Sequence, residues 1–162
     1  MHMISEKGNM KHKKDYPAAV KLLFWLPAAC IAAAIFWFSA QPAAESTEMS
    51  DTVSHLILLL GTKLGFFHGN PAQYADLIEL MSFPVRKTAH MTEYLVFYCA
   101  VRFGLHFTYQ PLNVKRRLLT ALAIVFLYAC TDEFHQFFVP GRAGRFTDVL
   151  IDCFGCAGVT LI

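Results

Sequence analysis

Apolar stretches alternate with short polar breaks along this chain, and their lengths suit helices that cross a bilayer. The first, Leu22–Ala40, covers about 19 residues, or roughly 28 Å at the helical rise, close to the roughly 30 Å hydrocarbon core. Trp25 and Trp37 stand near its two ends, where interfacial aromatics are favoured, and Pro27 predicts a kink. Ser39-Ala40-Gln41-Pro42 ends it. A second helix is predicted from about Val85, just after Pro84, to Phe107, polar in its first half and apolar in its second. A third is predicted over Leu118–Val139, with polarity returning at Thr131-Asp132-Glu133. A fourth opens near Phe146 and runs to the end of the sequence, with Asp148, Asp152 and Thr160 as its polar positions. Between the first and second, Val53–Phe67 is apolar but interrupted by Ser54, His55, Gly61, Thr62 and Lys63. It reads as an amphipathic helix at the outer interface. Gly69-Asn70-Pro71 and Gln110-Pro111-Leu112-Asn113 read as turns.

The expectation is an all-α fold: a polytopic membrane protein with four transmembrane helices, about 21–40, 85–107, 117–139 and 146–162, plus the extracytoplasmic interfacial segment. Residues 1–20 form a basic tail and 21–162 a single domain. Composition agrees. Hydrophobic residues are 56% of the chain and charged ones 16%, against about 45–50% and about 25% in soluble domains. The apolar run after the basic tail is longer than the core of a cleaved signal peptide, so it reads as an uncleaved first helix.

Net charge is +2, and its placement matters more than its size. Lys7, Lys11, Lys13, Lys14 and Lys21 precede the first helix, and Lys115, Arg116 and Arg117 precede the third. Residues 43–85 carry Glu45, Glu48, Asp51, Asp76 and Glu79 against Lys63 alone. The positive-inside bias therefore predicts cytoplasmic N- and C-termini with four crossings. The basic run is short and leads into an apolar span, which argues against nucleic-acid binding and for contact with membrane lipids. Cys30, Cys99, Cys130, Cys153 and Cys156 all fall in apolar segments. The Cys153-x-x-Cys156 spacing lacks a second pair, so these read as small buried hydrophobes.

With that topology the polar residues of the last three helices reach one outer level. Arg86, His90, Glu93 and Phe97 share a helix face, as do Asp132 and Gln136, with His135 beside them. Asp148 and Asp152 are four apart on the last helix. Lys87, Glu133, Arg142 and Arg145 complete the set. All five acids after residue 79 belong to it, with four of the bases, so the charges nearly cancel. Charge in or near hydrocarbon is costly and usually functional. An ion-pair network locking the helix ends is the structural alternative to a binding site open to the outer leaflet.

Arg86-Lys87-Thr88-Ala89-His90-Met91-Thr92-Glu93-Tyr94 resembles the Arg-Lys-x-x-His-x-x-Glu-Tyr motif of VanZ-like proteins. Asp132-Glu133-Phe134-His135-Gln136-Phe137-Phe138-Val139-Pro140-Gly141-Arg142, with Asp148-Val149 and Asp152-x-x-Gly155 behind it, resembles the second block of that family. Ser39-Ala40-Gln41-Pro42 is similar to the block ending its first helix, and the likeness covers about 20–162. The resemblance implies a small multi-pass protein of the bacterial cytoplasmic membrane. It also implies an association with low-level resistance to the glycopeptide teicoplanin, obtained without rebuilding the peptidoglycan terminus. It brings no catalytic residue set.

Three mechanisms fit these residues. In the first, the polar pocket binds a lipid headgroup, a lipid-linked wall precursor or the lipidated drug, with Arg86, Arg142 and Arg145 on phosphate. In the second, an intramembrane enzyme uses His90 or His135 as general base, oriented by Glu93, Asp132 or Glu133. Ser39 and Thr131 are then weak nucleophile candidates. A metal held by His90, Glu93, Asp132 and His135 is a variant of this, but salt bridges explain the same spacing, so no metal or other cofactor is expected. The third mechanism is transport or subunit assembly.

Overall fold

A computed structural model describes residues 16–109 and 112–161. Most of the expected basic tail, Gln110-Pro111 of the second turn and the last residue lie outside the described residues. Six helices account for the described elements: α1 (Ala18–Leu23), α2 (Leu26–Ser39), α3 (Ala43–Lys63), α4 (Pro71–Thr108), α5 (Val114–Gln136) and α6 (Phe146–Leu161).

The first predicted helix is divided. Phe24 and Trp25 close α1 with short-range bonds to Lys21 O (3.2 Å) and Leu22 O (3.0 Å). Pro27 then sits in the first turn of α2, where its missing N–H has no helical partner to lose. The predicted kink is therefore a break two residues upstream of the proline.

α3 begins at Ala43, ten residues before the expected interfacial segment, and takes in its polar lead. It turns Ser46, Ser50, Ser54, Leu58 and Gly61 inward, a stripe at helical spacing. Ser50 and Ser54 satisfy their hydroxyls by donating to the carbonyls of Ser46 and Ser50, each at 2.8 Å. Gly65, at φ 77°, closes the helix. Its N–H donates to Thr62 O (3.0 Å), and that of Phe66 to Gly61 O (2.8 Å). This paired closure needs a left-handed residue, which glycine supplies without a Cβ clash.

α4 departs furthest from the sequence reading. It starts at Pro71, not Val85, and runs for 38 residues straight through Pro84. Asn70 caps it by accepting from Gln73 N, while the Gln73 side chain accepts from Asn70 N, each at 3.0 Å. Pro84 cannot donate to Leu80 O, a cost of about 3 kcal/mol in an isolated helix. Here the preceding turns pack against α3, which compensates for that loss.

The first half of α4 thus pairs with α3 as a helical hairpin, while the second half joins a bundle. There α4 and α5 pack centrally, with α2 on one side and α6 on the other. Tyr94, Tyr98, Val101, Ala121, Val125, Ala129, Val149 and Cys156 fill the core. At one end Trp25 Nε1 donates to Thr108 Oγ1 (3.0 Å); midway Tyr128 OH donates to Ala32 O (2.7 Å). At the other end Gln136 Nε2 donates to Ser39 Oγ (3.0 Å). So α2 and α5 run parallel, and α4 and α6 run against them.

Two helices, Ala18–Ser39 taken through its break and Val114–Gln136, are long and apolar enough to cross a membrane. Only 11% and 28% of their apolar windows are buried, whereas a core helix of a soluble protein is mostly covered. Leu22, Trp37, Leu127 and Phe154 all point outward. The apolar surface faces the solvent phase, which suits lipid and not water.

Candidate functional site

The polar residues converge where α2 and α5 end and α6 begins, around the middle of α4. Lys87 on α4 pairs with Asp148 in the first turn of α6 at 2.6 Å. Three residues on, His90 Nδ1 lies 3.5 Å from Glu93 Oε2, and Asp152 acts on the same imidazole electrostatically from α6. The contact does not meet hydrogen-bond geometry, so the buried Oε2 keeps no donor among the described residues.

Behind this layer lies a tighter network. Asp132 Oδ2 accepts from Tyr94 OH (3.1 Å) and Gln136 Nε2 (3.4 Å), and Gln136 also reaches Ser39. Asp132, Glu133, Gln136 and Asp152 are all buried. Glu133 accepts from the backbone N–H of Arg145 at 2.8 Å, which fastens the turn after α5 to the end of that helix. Gly144 makes this approach possible: a Cβ there would lie 2.2 Å from Glu133 O. Asp132 Oδ1 and Asp152 Oδ1 are buried without a partner among the described residues.

Two predicted members stand apart from the centre. Arg145 contributes its backbone N–H while its side chain is exposed. His135 turns aside to stack on Phe36, ring centroids 4.5 Å apart, with Nδ1 buried and unpartnered. The metal set considered from spacing is not assembled: among the described residues no three His, Cys, Asp or Glu side chains are placed to hold an ion.

Two arginines define the entrance. Arg86 donates through Nη2 to Thr47 Oγ1 (2.7 Å) and through Nε to Ser50 Oγ (3.5 Å), both on α3. Arg142 donates through Nε to Gln41 O (2.9 Å) and through Nη2 to Phe38 O (3.3 Å), closing the carbonyl end of α2. Burial, and then the neighbouring Arg86 cation, push the Arg142 guanidinium below its ordinary value. Neither arginine forms a direct ion pair with a carboxylate among the described residues. Both line a groove of about 710 Å³ between α3 and α4. His90 and Glu93 join them at its polar end, while Phe38, Met49, Val53, Ile57, Met81 and Val85 make the remainder apolar.

The α3 contribution to this site was missed by the sequence reading. Thr47 and Ser50 lie outside the recognised motifs, in a stretch read only for its acidic bias. The serine spacing at 46, 50 and 54 was the available signal.

The described chain is all-helical, with two helices long and apolar enough to cross a membrane and a polar cluster enclosed at one end of its bundle. The chain belongs to the VanZ/LLP1 family, whose model matches residues 24–162. Comparison with curated proteins and with solved structures returned no match.

Proposed function

We propose that the α3–α4 groove binds a phosphate-bearing lipid of the bacterial envelope. Its headgroup lies on Arg86 and Arg142 and its chain against Met49, Val53, Ile57 and Met81. The observation that supports this most is the pair of guanidiniums, converging without a carboxylate partner, at the head of an otherwise apolar groove. Asp132, Glu133 and Glu93 offset part of the repulsion on Arg142 from a distance, but neither guanidinium has a carboxylate in direct contact among the described residues, and phosphate accepts bidentate bonds from arginine. The amphipathic lining selects an amphiphile over a free ion. A lipid-linked wall precursor or a lipidated glycopeptide has the same division. Sequestering either would link this fold to teicoplanin-type resistance.

In this reading the protein sits in the cytoplasmic membrane as a multi-pass protein with cytoplasmic termini. Four passages are made by α1–α2, the second half of α4, α5 and α6. The α3 hairpin rests at the outer interface, with Leu56, Leu60 and Phe66 turned to lipid.

Photoactivatable polyprenyl phosphate offered to the purified protein tests the site. Cross-links are expected in peptides covering 46–57 and 81–93, reduced about tenfold by Arg86→Gln or Arg142→Gln. Equal labelling of both variants would remove the headgroup assignment. In cells, normal abundance with lost drug tolerance in His90→Ala, Glu93→Ala and Asp132→Ala would favour a site; loss of abundance in every one would favour a structural lock.

A second reading rests on the buried oxygens of Asp132 and Asp152, which keep no partner beside His90. An acid/base enzyme would use such carboxylates to take up or hold a proton during attack on a phosphate- or acyl-bearing lipid. Turnover of a labelled lipid-linked precursor, abolished by Asp152→Asn without loss of cross-linking, would establish it.

A further inference from the structure

Among the described residues, the end of the bundle remote from the carboxylates carries basic groups and no acidic ones. From Tyr94 to Thr131 the chain contains no Asp or Glu, yet it carries Arg102, His106, Lys115, Arg116 and Arg117. Arg102 and His106 are four apart on α4 and share a face, and α5 brings Arg117 to them in its first turns. A cavity of about 290 Å³ opens between these helices, lined by Arg102, His106, Arg117, Cys99, Phe103 and Phe107.

Arg117 is held in place. One terminal nitrogen hydrogen-bonds His106 Nδ1, and Nη2 donates to Leu112 O at 3.1 Å. Accepting at Nδ1 leaves the imidazole proton on Nε2, a further donor. Arg117 Nε is buried with no acceptor among the described residues. The Arg102 guanidinium lies over the Tyr98 ring, 5.6 Å from its centroid. Neither arginine pairs with a carboxylate among the described residues. Beside these donors stands an aromatic wall, with Phe103 and Phe107 rings 4.9 Å apart and Phe24 stacked on Phe107 at 4.6 Å. Phe103, Val114 and Leu119 are exposed around it.

We propose that this cavity is a second lipid site, seating the phosphodiester of an anionic phospholipid on Arg102, Arg117 and His106, with an acyl chain along Phe103 and Phe107. A phosphodiester supplies the acceptors that the guanidiniums lack. The aromatic wall at membrane depth favours a lipid over a free anion. His106 lies thirteen residues beyond Glu93 on α4, about 20 Å by helical rise, so the two sites lie toward opposite ends of the bundle and share no residue.

The test uses the full chain in detergent micelles with photoactivatable phosphatidylglycerol, read by the peptides labelled. Labelling over 98–107 and 112–119 is expected to fall about tenfold in Arg102→Gln and Arg117→Gln, with labelling over 46–57 unchanged. Arg117→Lys is expected to retain part of it, since charge remains and the fork is lost. Where Arg117→Gln fails to fold, Arg102→Gln carries the same test. Unchanged labelling in the folded variant would overturn the proposal. So would equal labelling by phosphatidylcholine of matched chains, or displacement of the lipid by millimolar inorganic phosphate.

Discussion

Between α2, α5, α6 and the second half of α4 the helices meet around two large side chains, Tyr94 and Tyr98, with Val101, Ala121, Val125, Ala129 and Val149 beside them, all nearly inaccessible. On α3 the buried residues are Ser46, Ser50, Ser54, Leu58 and Gly61, and Ser82 is buried on the first half of α4, so this pairing rests mostly on small side chains. Lipid tails are as apolar as leucine, so burying leucine between helices in a membrane brings little gain by itself. Shape, close approach and hydrogen bonds decide instead. The bundle uses interlocking aromatics and a buried polar network at one end. The hairpin uses a seam of small residues, Arg86 reaching across it and a Thr62–Tyr74 hydroxyl contact of 3.2 Å near its tip. The groove lies on the flank of the second construction.

This difference is broken most severely at Tyr94, which is wholly buried and donates to Asp132. Tyr94→Ala is expected to cost about 3–5 kcal/mol through the cavity and the stranded carboxylate, seen as a lower melting temperature of the purified protein. Ser50→Leu attacks the other region. Overpacking the seam is expected to cost about 1–3 kcal/mol, confined to faster hydrogen exchange over 43–63 while α5 and α6 stay protected. A cooperative loss across all helices would show that hairpin and bundle are one unit. Gly144→Ala is expected to cost about 1–2 kcal/mol, because the loop must withdraw from Glu133 and release the Arg145 N–H. Faster exchange of the Arg145 amide is the readout. Lys87→Met should change stability by less than about 1 kcal/mol, and by less still in high salt, since that pair is partly exposed.

Much of the site was legible because its residues repeat at helical spacing on strongly apolar helices. His90 and Glu93, Asp132 and Gln136, and Asp148 and Asp152 were grouped from helical period together with the topology set by the basic clusters; in the structure Lys87 pairs with Asp148, and Asp152 acts on His90. The starts of α3 and α4 were not legible. Pro84 is an ordinary break by local propensity, and α4 continues through it where α3 covers the preceding turns. The stretch 43–52 was read for its acidic bias and not for the Ala, Glu and Met that favour a helix. His135 was grouped by sequence proximity, but residues adjacent in a helix point in different directions, and it stacks on Phe36. Arg145 lies in the turn before α6 and offers its backbone N–H, with its side chain exposed.

The apolar periodicity, the basic clusters and the positions of the carboxylates determined by themselves that this chain is helical, suited to lipid and polar at one end of its helices. Those are local properties, carried by residues a few positions apart. That α4 continues through its proline, that a serine seam replaces an isolated interfacial helix, and that Arg86 and Arg142 converge over one groove were decided by tertiary structure. Each depends on contacts between segments tens of residues apart, which no local period encodes.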